Sequence, residues 1–150
     1  MQAQMLAPAA VLVLWSLVML LWMVHTRFAA FGKAGIDLKV SPPGGRGQAL
    51  EGVLPDQVNW KAHNFSHLME QPTIFYPTVV ILAIMGAGAI DVALAWAYVA
   101  LRIVHSVWQA TVNRIPVRFV LFGLSTVCLL VLAIRAVIAT LFHDPSIVSA

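Results

Sequence analysis

The sequence is poor in charged residues and in cysteine. Of its 150 residues only 10% are Asp, Glu, Lys or Arg, whereas 61% are hydrophobic and the mean hydropathy is +0.88. Soluble domains carry about 25% charged residues, so this composition excludes an ordinary soluble protein and indicates one integral membrane domain. The single cysteine, Cys128, excludes an internal disulfide, and we interpret it as a small buried hydrophobic side chain.

Positive charge is also absent from the start of the chain. No Lys or Arg precedes position 27, and no basic run with interleaved aromatic residues occurs, so we expect no nucleic-acid partner. Because nothing basic precedes the first apolar segment, this segment is a poor signal peptide. We interpret it as an uncleaved transmembrane helix.

Four long apolar segments are present, each long enough at ~1.5 Å per residue to cross a ~30 Å hydrocarbon core. The stretch SPPGGRG at 41–47 indicates that a long loop follows the first of them. We therefore predict an all-α membrane protein, a four-transmembrane-helix bundle, as a single domain over residues 1–150. The predicted helices cover about 6–26, 60–88, 91–112 and 117–142, and the loop covers 27–59.

The basic residues outside these segments are distributed unevenly. They lie in the first loop and around the last turn, at Arg27, Lys33, Lys39, Arg46, Lys61, Arg114 and Arg118. The positive-inside rule then places both loops in the cytoplasm and both termini outside, in a multi-pass protein surrounded by lipids. Arg135, near the outer end of the fourth segment, is expected to extend to the membrane interface.

Arg102 places a charge inside the third apolar segment. Such a charge is costly unless it faces protein or a water-filled cavity, so it marks a candidate functional residue. Steps of four, three and four put four polar side chains on one helical face, namely Tyr98, Arg102, His105 and Gln109. Arg102 could bind an anionic ligand through two parallel hydrogen bonds, or it could pair internally with Glu70 or Asp91.

Other polar side chains lie at the predicted cytoplasmic ends of the helices. Arg114 and Arg118 suit an anionic ligand, although basic residues at this position also serve membrane topology alone. His63, His67 and Glu70 have the spacing i, i+4, i+7 and would share one helical face as metal ligands. The alternative is that these three face water or lipid headgroups.

Two motifs carry a resemblance to a known family. One is Arg102-Ile-Val-His105 followed by Arg114-Ile-Pro116-Val-Arg118, and the other is Asn64-Phe-Ser-His67-Leu-Met-Glu70-Gln-Pro72-x-x-Phe75-Tyr76. Their order and spacing, together with the four spans, resemble the MAPEG superfamily, the membrane-associated proteins in eicosanoid and glutathione metabolism. The resemblance is to an uncharacterised branch found in the bacterial inner membrane. It implies a homotrimer that binds glutathione between neighbouring subunits near the cytoplasmic face.

The resemblance also implies roles for individual residues. The implied cofactor-binding residues are Asn64, His67, Glu70, Arg102, His105, Arg114 and Arg118, and the implied catalytic residues are Arg118 and Gln109. Two departures from the family pattern are present. Gln109 occupies a position where several active members have tyrosine, and Glu70 lies six residues after Asn64, so that His67 takes the position of their glutamate.

The function implied by the resemblance is that of a glutathione-dependent transferase or peroxidase acting on lipophilic electrophiles. Arginines and the field of a helix end would lower the pKa of the glutathione thiol, and the thiolate would attack the electrophile. The missing tyrosine favours an alternative, a non-catalytic MAPEG-like membrane protein that binds a lipid or a partner. A third hypothesis is a metal-binding membrane protein that uses His63, His67 and Glu70.

Overall fold

The computed structural model describes residues 1–40 and 43–142, and every regular element in these two stretches is helical. The helices are α1 (Gln2–Ala34), α2 (Asp56–Leu68), α3 (Pro72–Met85), α4 (Ala89–Thr111) and α5 (Ile115–Leu141), with a 3₁₀ helix at Gly47–Leu50. Because α2 and α3 together form one span, four segments are long and apolar enough to cross a membrane. The predicted all-α fold with four spans is confirmed.

The helix boundaries differ from the expected ones in two places. α1 continues to Ala34, past the expected end at residue 26, and ends where Gly35 adopts a left-handed conformation with a φ of 66°. The loop expected at 27–59 is correspondingly shorter, because α1 ends at Ala34 and α2 begins at Asp56. The second span is interrupted at 69–71, since Pro72 lacks the N–H that would bond to the Leu68 carbonyl four residues back.

α4 is the central helix of the bundle. It packs against α1, α2 and α5, while α3 packs against α1 and α5. The polar face predicted for α4 points inward. Its four polar side chains are at most 3% exposed: Tyr98, Arg102, His105 and Gln109. The surrounding core is apolar and includes Met5, Leu12, Phe75, Val79 and Leu132.

The outer surface of the bundle is strongly apolar. Large hydrophobic side chains of α1 and α5 are exposed along their length, including Leu14, Leu21, Phe119, Leu130 and Leu141. Soluble monomers rarely expose contiguous apolar surfaces of this kind, whereas lipid chains solvate them readily. The protein is therefore an integral, multi-pass membrane protein.

An ion pair joins α4 to α5 at the end of the bundle where α4 begins. Arg135 donates hydrogen bonds to both carboxylate oxygens of Asp91, whose side chain is only 3% exposed. Asp91 also accepts a hydrogen bond of 2.8 Å from the Gly88 N–H, which caps α4. The expectation that Arg135 extends to the interface stays a prediction: its side chain is 40% exposed at this end of the bundle, and the antiparallel packing of α5 on α4 also places the carboxylate of Asp91 within its reach.

Candidate functional site

Arg102 belongs to α4, and its side chain is completely buried between α4, α2 and α5. Its Nη2 donates a hydrogen bond of 3.0 Å to the carbonyl oxygen of His67, and its Nη1 lies 3.4 Å from Nε2 of the same residue. The ring centroid of Phe122 lies 5.7 Å from its Cζ. Within the described residues no carboxylate forms an ion pair with Arg102, so pairing with Glu70 or Asp91 does not occur. Its Nε has no hydrogen-bond partner there either, so the guanidinium has no carboxylate in direct contact with it.

The break between α2 and α3 provides the acceptor for Arg102. His67 lies in the last turn of α2, where backbone carbonyls lack a full set of helical partners. Gln71 fixes the break from two sides. Its Oε1 accepts a hydrogen bond of 3.3 Å from the Tyr98 hydroxyl, and its Nε2 donates one of 2.8 Å to Oγ1 of Thr126. The break is therefore held by both α4 and α5.

An open cleft of about 370 Å³ lies beside Arg102. The rings of His67, His105 and Phe122 form one wall, with centroids 5.0 Å apart for His67–His105 and 5.4 Å apart for His67–Phe122. The rest of the lining comes from the start of α5 and comprises Ile115, Arg118 and Phe119. Arg118 donates a hydrogen bond of 2.8 Å from Nη1 to Asn113, whereas its buried Nε has no partner among the described residues.

His67 connects Arg102 to Glu70. Its Nδ1 lies 2.8 Å from a carboxylate oxygen of Glu70, which is 66% exposed, and its Nε2 faces Arg102. One neutral tautomer satisfies both contacts, because Nδ1–H can donate to the carboxylate while the lone pair of Nε2 accepts from the guanidinium. The imidazole thereby orients Arg102 without adding a second buried charge.

The remaining predicted site residues do not line the cleft. Asn64 is buried and donates a hydrogen bond of 2.8 Å to Oγ of Ser106, which also accepts one of 3.0 Å from Nε1 of Trp15. Gln109 is buried, and its Oε1 has no partner among the described residues. Arg114 is exposed. Ser106 and Trp15 were not predicted, since no local sequence pattern links two residues that lie 91 positions apart.

The described residues do not form the ligand set of the metal hypothesis. In these parts of the chain, no three His, Cys, Asp or Glu side chains come together in a way that could hold a metal ion. His63 contacts Glu51 at 2.5 Å, whereas His67 contacts Glu70. The two histidines therefore have separate carboxylate partners.

The fold and the site define a small helical membrane protein in which a buried, unpaired arginine lies beside an open cleft. A family model described as the MAPEG family matches residues 5–138, and the chain belongs to this family. It is therefore a membrane protein of the eicosanoid and glutathione metabolism kind, and the resemblance found in its two motifs is confirmed. No curated protein and no solved structure matches the chain.

Proposed function

We propose that this protein is a glutathione-dependent transferase or peroxidase that acts on lipophilic electrophiles dissolved in the bilayer. The observation that supports this function is the buried, unpaired guanidinium of Arg102 beside the cleft lined by His67, His105 and Arg118. Glutathione carries two carboxylates, and guanidinium groups bind carboxylates through two parallel hydrogen bonds. Membership of a family associated with glutathione makes it the first ligand to test.

The unused hydrogen-bonding groups of the bundle fit such a ligand. The buried groups without partners in the described chain include two donors, Nε of Arg102 and of Arg118, and two acceptors, Oδ1 of Asn64 and Oε1 of Gln109. Carboxylates require donors and the glutathione ammonium requires acceptors, so both kinds of group are available. Since Arg102 is completely buried, a ligand can contact it only after the rings of His67 and Phe122 move.

In this proposal each predicted site residue has a defined role. Arg102 and Arg118 bind the carboxylates, while His67 and Glu70 hold Arg102 in place. Asn64 and His105 complete the polar pocket, and the exposed Arg114 adds positive potential at its entrance. Gln109 donates an amide hydrogen bond to the sulfur where other family members have tyrosine.

The chemical step that we propose is activation of the glutathione thiol. Arg118 lies in the first turn of α5, where the helix dipole adds positive potential to the charge of the guanidinium. Positive charge lowers the pKa of a thiol and increases the fraction of thiolate. The thiolate then forms a carbon–sulfur bond with the electrophile while the leaving group departs with the bonding electrons.

We further propose that the cleft is closed by a neighbouring subunit in a homotrimer. In one protomer the cleft is open, and Ile115 and Phe119 at its edge are 73% and 75% exposed. A second protomer packed on these side chains would shield glutathione from lipid while leaving access for a lipophilic electrophile.

The test is glutathione binding to the detergent-purified protein, followed by stopped-flow ultraviolet absorbance of the thiolate. Arg102→Ala, Arg102→Lys and Arg118→Gln should each weaken binding at least about tenfold, because a hydrogen bond to a charged group is worth about 1.5–3 kcal/mol. Lys39→Gln, an exposed change of the same charge, serves as the control. Undiminished affinity in Arg118→Gln and in a folded Arg102 variant would refute the assignment.

A second candidate function is a non-catalytic MAPEG-like protein that binds a lipid or a partner. The observation that favours it is the presence of Gln109, rather than tyrosine, on the inward face of α4. A generic aryl halide added to the glutathione complex distinguishes the two functions. Conjugation establishes the enzyme, whereas binding without thiolate or conjugation establishes the non-catalytic protein.

A further inference from the structure

The turn between α4 and α5 contains a residue in an unusual backbone conformation. Asn113 has a φ of 57°, and across residues 1–40 and 43–142 every other residue with a positive φ is a glycine. Asparagine and aspartate tolerate this left-handed region better than most residues, and glycine adopts it most easily. The backbone of the turn therefore accepts asparagine but does not by itself require the asparagine side chain.

Trp108 holds this turn from both sides. Its carbonyl oxygen accepts hydrogen bonds from the N–H groups of Val112 and Asn113, at 2.9 and 2.8 Å. Its indole Nε1 donates a hydrogen bond of 3.4 Å to the carbonyl oxygen of Arg114, the residue before α5. The backbone before and after Asn113 is thus anchored to the end of α4, and this anchoring fixes the starting point of the Asn113 side chain.

The Asn113 side chain contacts Arg118 at the start of α5. Its Oδ1 accepts a hydrogen bond of 2.8 Å from Nη1 of Arg118. Because a guanidinium group has donors only, the amide must present its oxygen to it. In many helices an apolar residue just before the N-cap packs against the fourth residue of the helix. Asn113 and Arg118 occupy these two positions, and a hydrogen bond joins them instead.

Arg118 lines the cleft without a carboxylate partner. Among the described residues it forms no ion pair, and its buried Nε has no hydrogen-bond partner. The other titratable side chains that line the cleft are His67 from α2 and His105 from α4, and neither is an anion. Glu70 contacts His67 at Nδ1 and does not line the cleft. The acceptor that holds the guanidinium of Arg118 is therefore a neutral amide oxygen.

A carboxylate at position 113 would hold Arg118 equally well but would change the charge of the cleft. Aspartate has nearly the shape of asparagine, tolerates a positive φ and can accept the same hydrogen bond. Its negative charge would compensate the guanidinium and lower the positive potential in the cleft. Asparagine provides the same contact and leaves the charge of the arginine available to an anion.

We propose that Asn113 is a positioning residue, which holds the guanidinium of Arg118 in the cleft and preserves its charge for the anion that binds there. The identity of that anion, the glutathione thiolate, rests on the proposed function. The positive potential that Arg118 produces in the cleft does not depend on glutathione, so it can be measured separately.

The first experiment measures this potential in the detergent-purified full chain without glutathione. In a Cys128→Ser background, Ile115→Cys places an exposed thiol at the edge of the cleft, one helical turn before Arg118. Because the thiolate is the reactive form, the rate of alkylation by the neutral reagent iodoacetamide at neutral pH reports the potential. Arg118→Gln should slow alkylation about threefold or more, and Asn113→Asp should slow it to the same extent. Asn113→Gly, which releases the guanidinium, should have an intermediate effect.

Three controls separate this contact from other effects. The alkylation rate at alkaline pH, where every thiol is ionised, corrects each variant for access of the reagent. Thr111→Asp adds the same negative charge at an exposed position near the end of α4 and should change the corrected rate less than about twofold. Circular dichroism should show that Asn113→Asp and Asn113→Gly fold, because both residues tolerate a positive φ. A purely structural role of Asn113 would leave the corrected rate of the folded variants unchanged.

Glutathione binding to the chain with Ile115 intact gives the second readout. Asn113→Asp should weaken it at least about tenfold, and Asn113→Gly about threefold. An unchanged corrected alkylation rate in folded Asn113→Asp or Asn113→Gly would overturn the proposal, and so would an equal loss in Thr111→Asp. If the rates change as expected and the wild type binds no glutathione, the function proposed for the cleft is refuted while the positioning of Arg118 by Asn113 is supported.

Discussion

Arg102 and Arg135 each interrupt an apolar run, in α4 and in α5, and their charges are compensated differently. Arg135 donates to the buried carboxylate of Asp91, whereas Arg102 contacts His67 and Phe122 and forms no ion pair in the described chain. Removing one partner of a buried ion pair is costly because the other charge is left uncompensated, whereas a buried charge that has no ionic partner indicates a ligand. Sequence alone does not separate the two cases, because each arginine interrupts an apolar run in the same way.

Arg135→Gln should destabilise the protein by about 2–3 kcal/mol, because it leaves the buried carboxylate of Asp91 with the Gly88 N–H as its remaining partner. Denaturant unfolding in detergent measures the loss. Arg114→Gln, at an exposed position, should change stability by less than about 0.5 kcal/mol. The double variant Asp91→Asn/Arg135→Gln should recover part of the loss, and additive effects would show that the two side chains are not coupled.

Ser106→Ala should cost about 2 kcal/mol, because it removes the acceptor of both Trp15 Nε1 and Asn64 Nδ2 inside the bundle. Thermal unfolding followed by circular dichroism measures this change. Thr111→Val is the control, since the Thr111 hydroxyl bonds only to the backbone of its own helix. Equal stability of Ser106→Ala and Thr111→Val would contradict the network.

Among the helices, the break between α2 and α3 has the largest effect on the site. The sequence predicts the second span and its early prolines, but it does not predict that the helix stops at 69–71. Pro72 interrupts the helical hydrogen bonds, and the resulting break is held in place by Gln71, which bonds to Tyr98 on α4 and to Thr126 on α5, both distant in sequence. By contrast, the inward face of α4 was predictable, because four polar residues at helical spacing identify one face from local sequence alone.

Gln71→Leu should increase amide hydrogen exchange around residues 67–72 and lower the free energy of unfolding by about 1–2 kcal/mol, because two side-chain hydrogen bonds are lost. Tyr98→Phe removes one of the two and should have an intermediate effect. The same exchange rate in Gln71→Leu and in the wild type would mean that Pro72 alone determines the break.

For the whole molecule, the four spans and the membrane environment were predictable because hydropathy depends on local composition. The bounds of α1 were not, since its last turns after residue 26 contain Arg27 and Lys33 and yet remain helical. At 33 residues α1 is about 50 Å long, more than a ~30 Å hydrocarbon core requires. The cleft was only partly predictable: His67, His105 and Arg118 line it, whereas the other predicted site residues do not, namely Asn64, Glu70, Arg102, Gln109 and Arg114.

The proposed orientation, with both termini outside a bacterial inner membrane, can be tested by labelling single cysteines. In a Cys128→Ser background, Gln2→Cys should react with a membrane-impermeant maleimide added to intact cells. Val53→Cys, at a side chain that is 57% exposed, should react only after the cells are opened. Reaction of Val53→Cys in intact cells would invert the topology derived from the basic loops.

The pair between Asp91 and Arg135 also has a consequence for biosynthesis. α4 leaves the ribosome before α5, and a lone carboxylate within an apolar segment raises the free energy of partition into the bilayer. Arg135 supplies the counter-charge only once α5 has been made, so the two segments enter the lipid more favourably as a helical hairpin than one after the other. A chain that stops before α5 would present the translocon with an uncompensated acidic segment.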